Sequence, residues 1–95
     1  MLKHEMLLVY LDYVDRKLKR EFTLEEDCST LVPKFFPSKS AISKSLAKLR
    51  DLKLFGLDAH GYVYHIARKY WAISCEGHDY ANKFPCWESL NVSSL

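Results

Sequence analysis

Two prolines, Pro33 and Pro37, bracket Lys34-Phe35-Phe36 and constrain this chain more than any other feature. Proline lacks the N–H that a helix needs and clashes with the preceding turn, so no helix runs through either position. Helix-forming stretches on both sides must therefore meet at a tight turn, here anchored by two aromatic side chains. Before the turn, Thr23-Leu24-Glu25-Glu26 reads as a capping box that starts a short helix over 23–33. Leu24, Cys28, Leu31 and Val32 supply its apolar face, and its acidic triplet suits the helix dipole. After the turn, Ser38 or Ser40 caps a longer helix over 38–53. Ile42, Leu46 and Leu49 recur there at helical spacing, while Ser40, Lys44, Ala47 and Lys48 fall on the other side.

The flanking segments complete the order of elements. Residues 1–21 read as a first helix with Leu7, Tyr10, Leu11, Val14 and Leu18 in the helical pattern. Met6, Leu8, Val9 and Tyr13 widen its apolar surface beyond one stripe. Such a helix is either central to its own core or shared with a second subunit. On the second alternative, Met6, Val9, Tyr10 and Tyr13 form a homodimer interface. Downstream of a breaker at Gly56, the span 55–73 reads as a β-hairpin. Its strand-like runs flank an Ala59-His60-Gly61 turn, and Trp71-Ala72-Ile73 adds a further short strand. Ser74 caps a last helix over 74–84, which Pro85 stops. Trp87 and Leu90 are expected to pack back onto the domain, with the final residues frayed.

Composition excludes several classes. The 95 residues suit one domain, and 48% hydrophobic with 14% aromatic content is ample for a core. No apolar run approaches the ~20 residues that span a bilayer, and the charged opening is unlike a secretory signal. The expectation is a soluble, cytoplasmic protein without a membrane partner. Three cysteines at irregular spacing, Cys28, Cys75 and Cys86, are expected to be reduced and partly buried. The net charge of +2 is spread unevenly. Residues 34–53 carry six cations against Asp51, whereas Glu25, Glu26 and Asp27 stand without a base in 22–33. A cationic element of this kind suits an anionic partner.

A short helix, a tight turn and an amphipathic helix make a helix-turn-helix unit, and a following hairpin adds a wing. The chain resembles the winged helix-turn-helix family of DNA-binding proteins over most of its length. Ile73, Ser74 and Gly77 are similar to the leucine-threonine-x-x-glycine step that ends the wing in many small members. The Gly77-His78-Asp79-Tyr80 run, followed by Trp87-Glu88, resembles small winged-helix proteins of phages and mobile elements. The resemblance implies a mainly α fold with a small β-hairpin (α+β): a three-helix core, a wing and a short C-terminal helix in one domain over 1–95. It further implies a small transcriptional regulator whose third helix enters the major groove of double-stranded DNA. Ser38, Lys39, Ser40, Ser43, Lys44 and Lys48 would then meet bases and phosphates, with His60 near the wing's tip and Arg68 and Lys69 at its base. A homodimer would read two half-sites.

Other chemistries find less support. Cys75-x-x-His78 is a single close pair, whereas zinc sites show paired close spacings. A cysteine–histidine nucleophile lacks a glycine-rich oxyanion turn, and no phosphate loop or carboxylate pair is visible. The chain reads as a non-enzyme without cofactor or metal. The competing functional class is a winged-helix module that binds a host or phage protein rather than DNA, because a fold does not fix a function.

Overall fold

Leu7, Leu8, Val9, Tyr10 and Leu11 are all at most 2% exposed, and a helix can bury five consecutive side chains only if it is covered on nearly every side. In the computed structural model, which describes residues 1–52 and 61–93, this segment belongs to α1 (Lys3–Tyr13), and α1 is the central element. It contacts the helices α3 (Lys39–Asp51), α4 (Cys75–Ala81) and α5 (Trp87–Ser93), as well as the sheet. Each fully buried aliphatic side chain contributes about 1.5–3 kcal/mol, so α1 anchors the core.

Helix α1 does not continue regularly to residue 21. A π-helical turn, Val14–Leu18, follows it, and the chain leaves through Lys19 at φ 56, a left-handed helix-ending position. The strand β1 (Phe22–Thr23) comes next and leads into α2 (Leu24–Leu31). Two residues are too short to show strand alternation, and nothing in the sequence pattern announces β1. The remaining strands are β2 (Val63–Ala67) and β3 (Tyr70–Ile73). Together they form a three-stranded antiparallel sheet in the order β1-β3-β2. The molecule is thus a small α+β fold with five α-helices and this sheet among the described residues.

The hairpin differs from its expected form. Its turn is Arg68-Lys69, between β2 and β3, with a register shift between His65 and Ala67. The expected turn residues Ala59 and His60, and the breaker Gly56, lie outside the described residues. Gly61 instead packs at the exit of α3. Its φ is +69, and a Cβ there would lie 2.0 Å from the Arg50 carbonyl oxygen. Only glycine satisfies both conditions.

Ser74 ties these parts together. Its hydroxyl accepts from the Gly77 N–H at 3.0 Å, capping α4, and contacts the carbonyls of Gly61 (2.8 Å) and Tyr62 (3.2 Å). Tyr62 N–H in turn donates to Leu49 of α3. A Cβ on Gly77 would meet the Tyr62 carbonyl at 2.3 Å, so α4 sits against the hairpin only because position 77 is glycine.

Residues 87–93 form α5, so Asn91, Val92 and Ser93 are helical rather than frayed, while Ser94 and Leu95 lie outside the described residues. Trp87 is 4% exposed, with its ring 4.7 Å from both Tyr10 and Phe35. Phe35 and Phe36, the aromatics of the proline-bounded turn, are 3% and 1% exposed. This packing revises the expected dimer surface. Val9 and Tyr10 are buried inside the chain itself, and Met6 and Tyr13 are half-buried against the same core. The apolar breadth of α1 is therefore spent within one chain. Cys75 and Cys86 are exposed and only Cys28 is half-buried, contrary to the expectation for all three.

Candidate nucleic-acid interface

Helix α3 starts where Ser38 accepts a hydrogen bond from the Ala41 N–H at 3.2 Å. Ile42, Leu46 and Leu49, at most 1% exposed, seat it on the core. At ~100° per residue, Ser40 and Lys44 then point directly outward, Lys39 and Ser43 flank one side and Lys48 the other. Ser38, Lys39, Ser40, Ser43, Lys44 and Lys48 are all exposed. On the Lys48 side lies His4 of α1, 7% exposed. Burial, then the Lys48 charge, holds its imidazole below the ordinary value.

The Lys39 and Ser43 side borders a groove of about 510 Å³. One wall is the start of α2, with Thr23, Leu24, Glu25 and Glu26. The hairpin turn Arg68-Lys69 with Tyr70 lies beside it, and His65, Trp71 and Leu46 also line the groove. The His65 and Trp71 rings stand 3.7 Å apart, which fixes the base of the turn. Of the expected contact residues, the fold thus brings Lys39 and Ser43 to one groove with Arg68 and Lys69. Ser38, Ser40, Lys44 and Lys48 lie on the rest of the α3 surface, and His60 lies outside the described residues. Arg68 and Lys69 form the tip of the hairpin, not its base, because β2 and β3 run up to them from both sides.

The position of the α2 acids decides the electrostatics. Thr23 Oγ1 accepts from the Glu26 N–H at 3.1 Å, which is one half of the expected capping box. The other half is replaced: the Thr23 N–H donates to Asp27 Oδ2 at 3.0 Å rather than to Glu26. Asp27 is 1% exposed and also accepts from the Tyr10 hydroxyl at 2.6 Å and from Arg20 at 2.7 and 3.0 Å. Burial and this carboxylate push the Tyr10 phenol far above its ordinary value, and Asp27 raises Arg20 likewise. The Glu25 and Glu26 side chains remain exposed at the groove. Glu25 Oε1 lies 3.8 Å from Lys69 Nζ, with both side chains about two-thirds exposed at 66% and 65%.

Asp51, the one acid of the cationic segment, is held by its neighbour. Arg50 donates to its two oxygens at 2.9 and 3.3 Å, which keeps the Asp51 carboxyl below the usual range. Its charge is thereby partly compensated before any anion approaches.

The Cys75 and His78 pair has another partner set. His78 contacts Asp12 through Nδ1 and Asp15 through Nε2, the latter at 2.9 Å, fastening α4 to α1 and its π-helical turn. Among the described residues no group of three His, Cys, Asp or Glu side chains is arranged to hold a metal ion. No helix there is long and apolar enough to cross a membrane.

The cations and the acids of α2 are both legible in the sequence, but the acids' place on the groove wall and the groove's aromatic lining are not. Both follow from β1, which pairs Thr23 with Tyr70 and Phe22 with Trp71 and so brings the start of α2 beside the hairpin turn. The available signal was the β-rich character of the runs on both sides of Arg68-Lys69, at the two-residue spacing of a hairpin. Glycine at position 61 gave a stronger turn signal and drew the assignment there. No family model, curated protein or solved structure matches the chain.

Proposed function

We propose that the chain is a winged helix-turn-helix protein that binds duplex DNA and acts in the cytoplasm as a small transcriptional regulator. In this reading α3 enters the major groove and the β2–β3 hairpin is the wing. One observation carries it: Lys39 and Ser43 of α3 and the Arg68-Lys69 tip, from distant parts of the sequence, border a single groove. Duplex recognition needs cations for phosphates and short polar side chains for base edges. Ser40 and Ser43 supply hydroxyls that donate or accept, and Lys44 lies beside Ser40 on the outward face. Lysine and serine discriminate less sharply than a bidentate arginine does, so phosphate contacts dominate affinity.

The test is titration of duplex DNA at several salt concentrations. Affinity falls steeply with salt, by close to 0.9 log units per log unit of salt for each phosphate neutralised. Lys44→Ala combined with Lys48→Ala weakens binding without lowering Tm. Absence of duplex binding at low salt, or binding indifferent to both changes, rejects the proposal.

A second reading, a protein-binding adaptor, draws on Glu25 and Glu26 in the groove, since a wall of mixed charge suits a protein surface as well. It is distinguished by a stoichiometric protein partner whose binding is lost with Glu25→Lys, in a chain that does not retain duplex.

A further inference from the structure

We propose that Glu25 and Glu26 form an acidic lip that competes with nucleic-acid phosphate for the hairpin tip, so that the wing grips DNA only conditionally. The inference rests on the duplex-binding reading above. Three observations carry it. Both carboxylates line the same groove as Lys39, Arg68 and Lys69. The Lys69 ammonium is already engaged by Glu25 at 3.8 Å. The third acid of the triplet, Asp27, is withdrawn into the core by Arg20, Tyr10 and Thr23, so among the described residues the lip consists of Glu25 and Glu26.

The competition follows from charge. A phosphate reaching Lys69 competes with Glu25, and a carboxylate released from the ammonium stands beside the phosphate and recruits a cation from solution. That uptake offsets part of the counterion release that drives association. Glu26 adds a second negative charge to the same wall. The wing consequently contributes less than two free cations would, and α3 carries a larger share of the grip. A partner that neutralises or covers the two glutamates would turn the wing on.

Neither glutamate side chain holds the fold. The Thr23 hydroxyl caps the Glu26 backbone N–H, and Asp27, not Glu26, receives the Thr23 N–H. Substitution by glutamine is therefore compatible with folding. Glu88, on α5 and outside the groove lining, provides a control that removes one carboxylate elsewhere, half the charge change of the double variant.

The experiment measures duplex affinity against salt for the parent chain, Glu25→Gln/Glu26→Gln and Glu88→Gln. The double variant binds about threefold tighter, the scale of the one exposed ion pair it removes. Its log–log salt slope steepens by up to ~0.9 as Lys69 is freed, whereas Glu88→Gln leaves both quantities near the parent values. Adding Arg68→Ala/Lys69→Ala to the double variant abolishes the gain. If the parent binds duplex and the double variant binds no more tightly than Glu88→Gln, the lip is refuted and the duplex-binding reading stands. If neither the parent nor the double variant binds at low salt, both fall. Binding by the double variant alone supports the lip in its strongest form.

Discussion

Glu25, Glu26 and Asp27 are consecutive acids in the first turn of α2, yet they belong to two different regions of the molecule. Asp27 turns inward, is 1% exposed and receives hydrogen bonds from Tyr10, Arg20 and Thr23. Glu25 turns outward, to a single lysine contact at 3.8 Å in open solvent. A buried charge must have every oxygen satisfied or it destabilises the fold, so the inner cluster is saturated. An exposed pair is held weakly and screened by salt, so the outer cluster can exchange partners. Neighbouring carboxylates thus fix the architecture on one side of a helix turn and remain available to a ligand on the other.

The largest consequence of this contrast is for stability. Asp27→Ala leaves Arg20 and Tyr10 without their shared acceptor and costs about 3–5 kcal/mol. Thermal denaturation shows this as a drop in Tm of more than ~12 °C for a domain of this size. Glu25→Gln, by contrast, changes stability by less than about 1 kcal/mol. Equal effects from the two substitutions would erase the distinction between the regions.

Gly77→Ala ranks next. Its Cβ would approach the Tyr62 carbonyl to 2.3 Å, forcing α4 away from the hairpin, at a cost of roughly 1–3 kcal/mol in chemical denaturation.

A smaller effect concerns pH. His4 has a folded pKa below its ordinary 6.5, so the unfolded chain takes up the proton first. Its contribution is fully present above 6.5 and declines as pH falls below it toward the folded value. Tm measured across this range falls on acidification, and His4→Gln flattens that fall. Lys48→Ala also weakens it, because the Lys48 charge is the second cause of the shift. The smallest effect is on the stability of Arg68→Ala/Lys69→Ala, within about 0.5 kcal/mol, because these side chains sit at an exposed turn.

Local signals in the sequence carried α2, the turn and α3 well. Ser74 caps the helix it was expected to cap, Ser38 rather than Ser40 caps α3, and Phe35 and Phe36 anchor the proline-bounded turn. These features depend on residues a few positions apart. What stayed illegible depends on distant pairs. The two-residue strand β1 exists only because β3 lies beside it. The burial of Asp27 depends on Arg20 being brought back by the π-helical turn and Lys19, and acid triplets at helix starts ordinarily face water. Apolar residues on all sides of α1 are equally compatible with a dimer and with the wrapping that α4 and α5 supply. The groove inherits the same asymmetry: Lys39 and Ser43 were readable from helical spacing. Their meeting with Arg68 and Lys69 required the sheet.

The central claim is that α3 and the hairpin tip act together on duplex DNA, and salt-dependent binding of the parent chain and Arg68→Ala/Lys69→Ala tests it most directly. Duplex binding at low salt is expected, with a log–log salt slope shallower by about 0.9 in the double variant, the share of Arg68 while Glu25 offsets Lys69, and Tm unchanged. No duplex binding by the parent chain at low salt, or an unaltered slope in the variant, would contradict it.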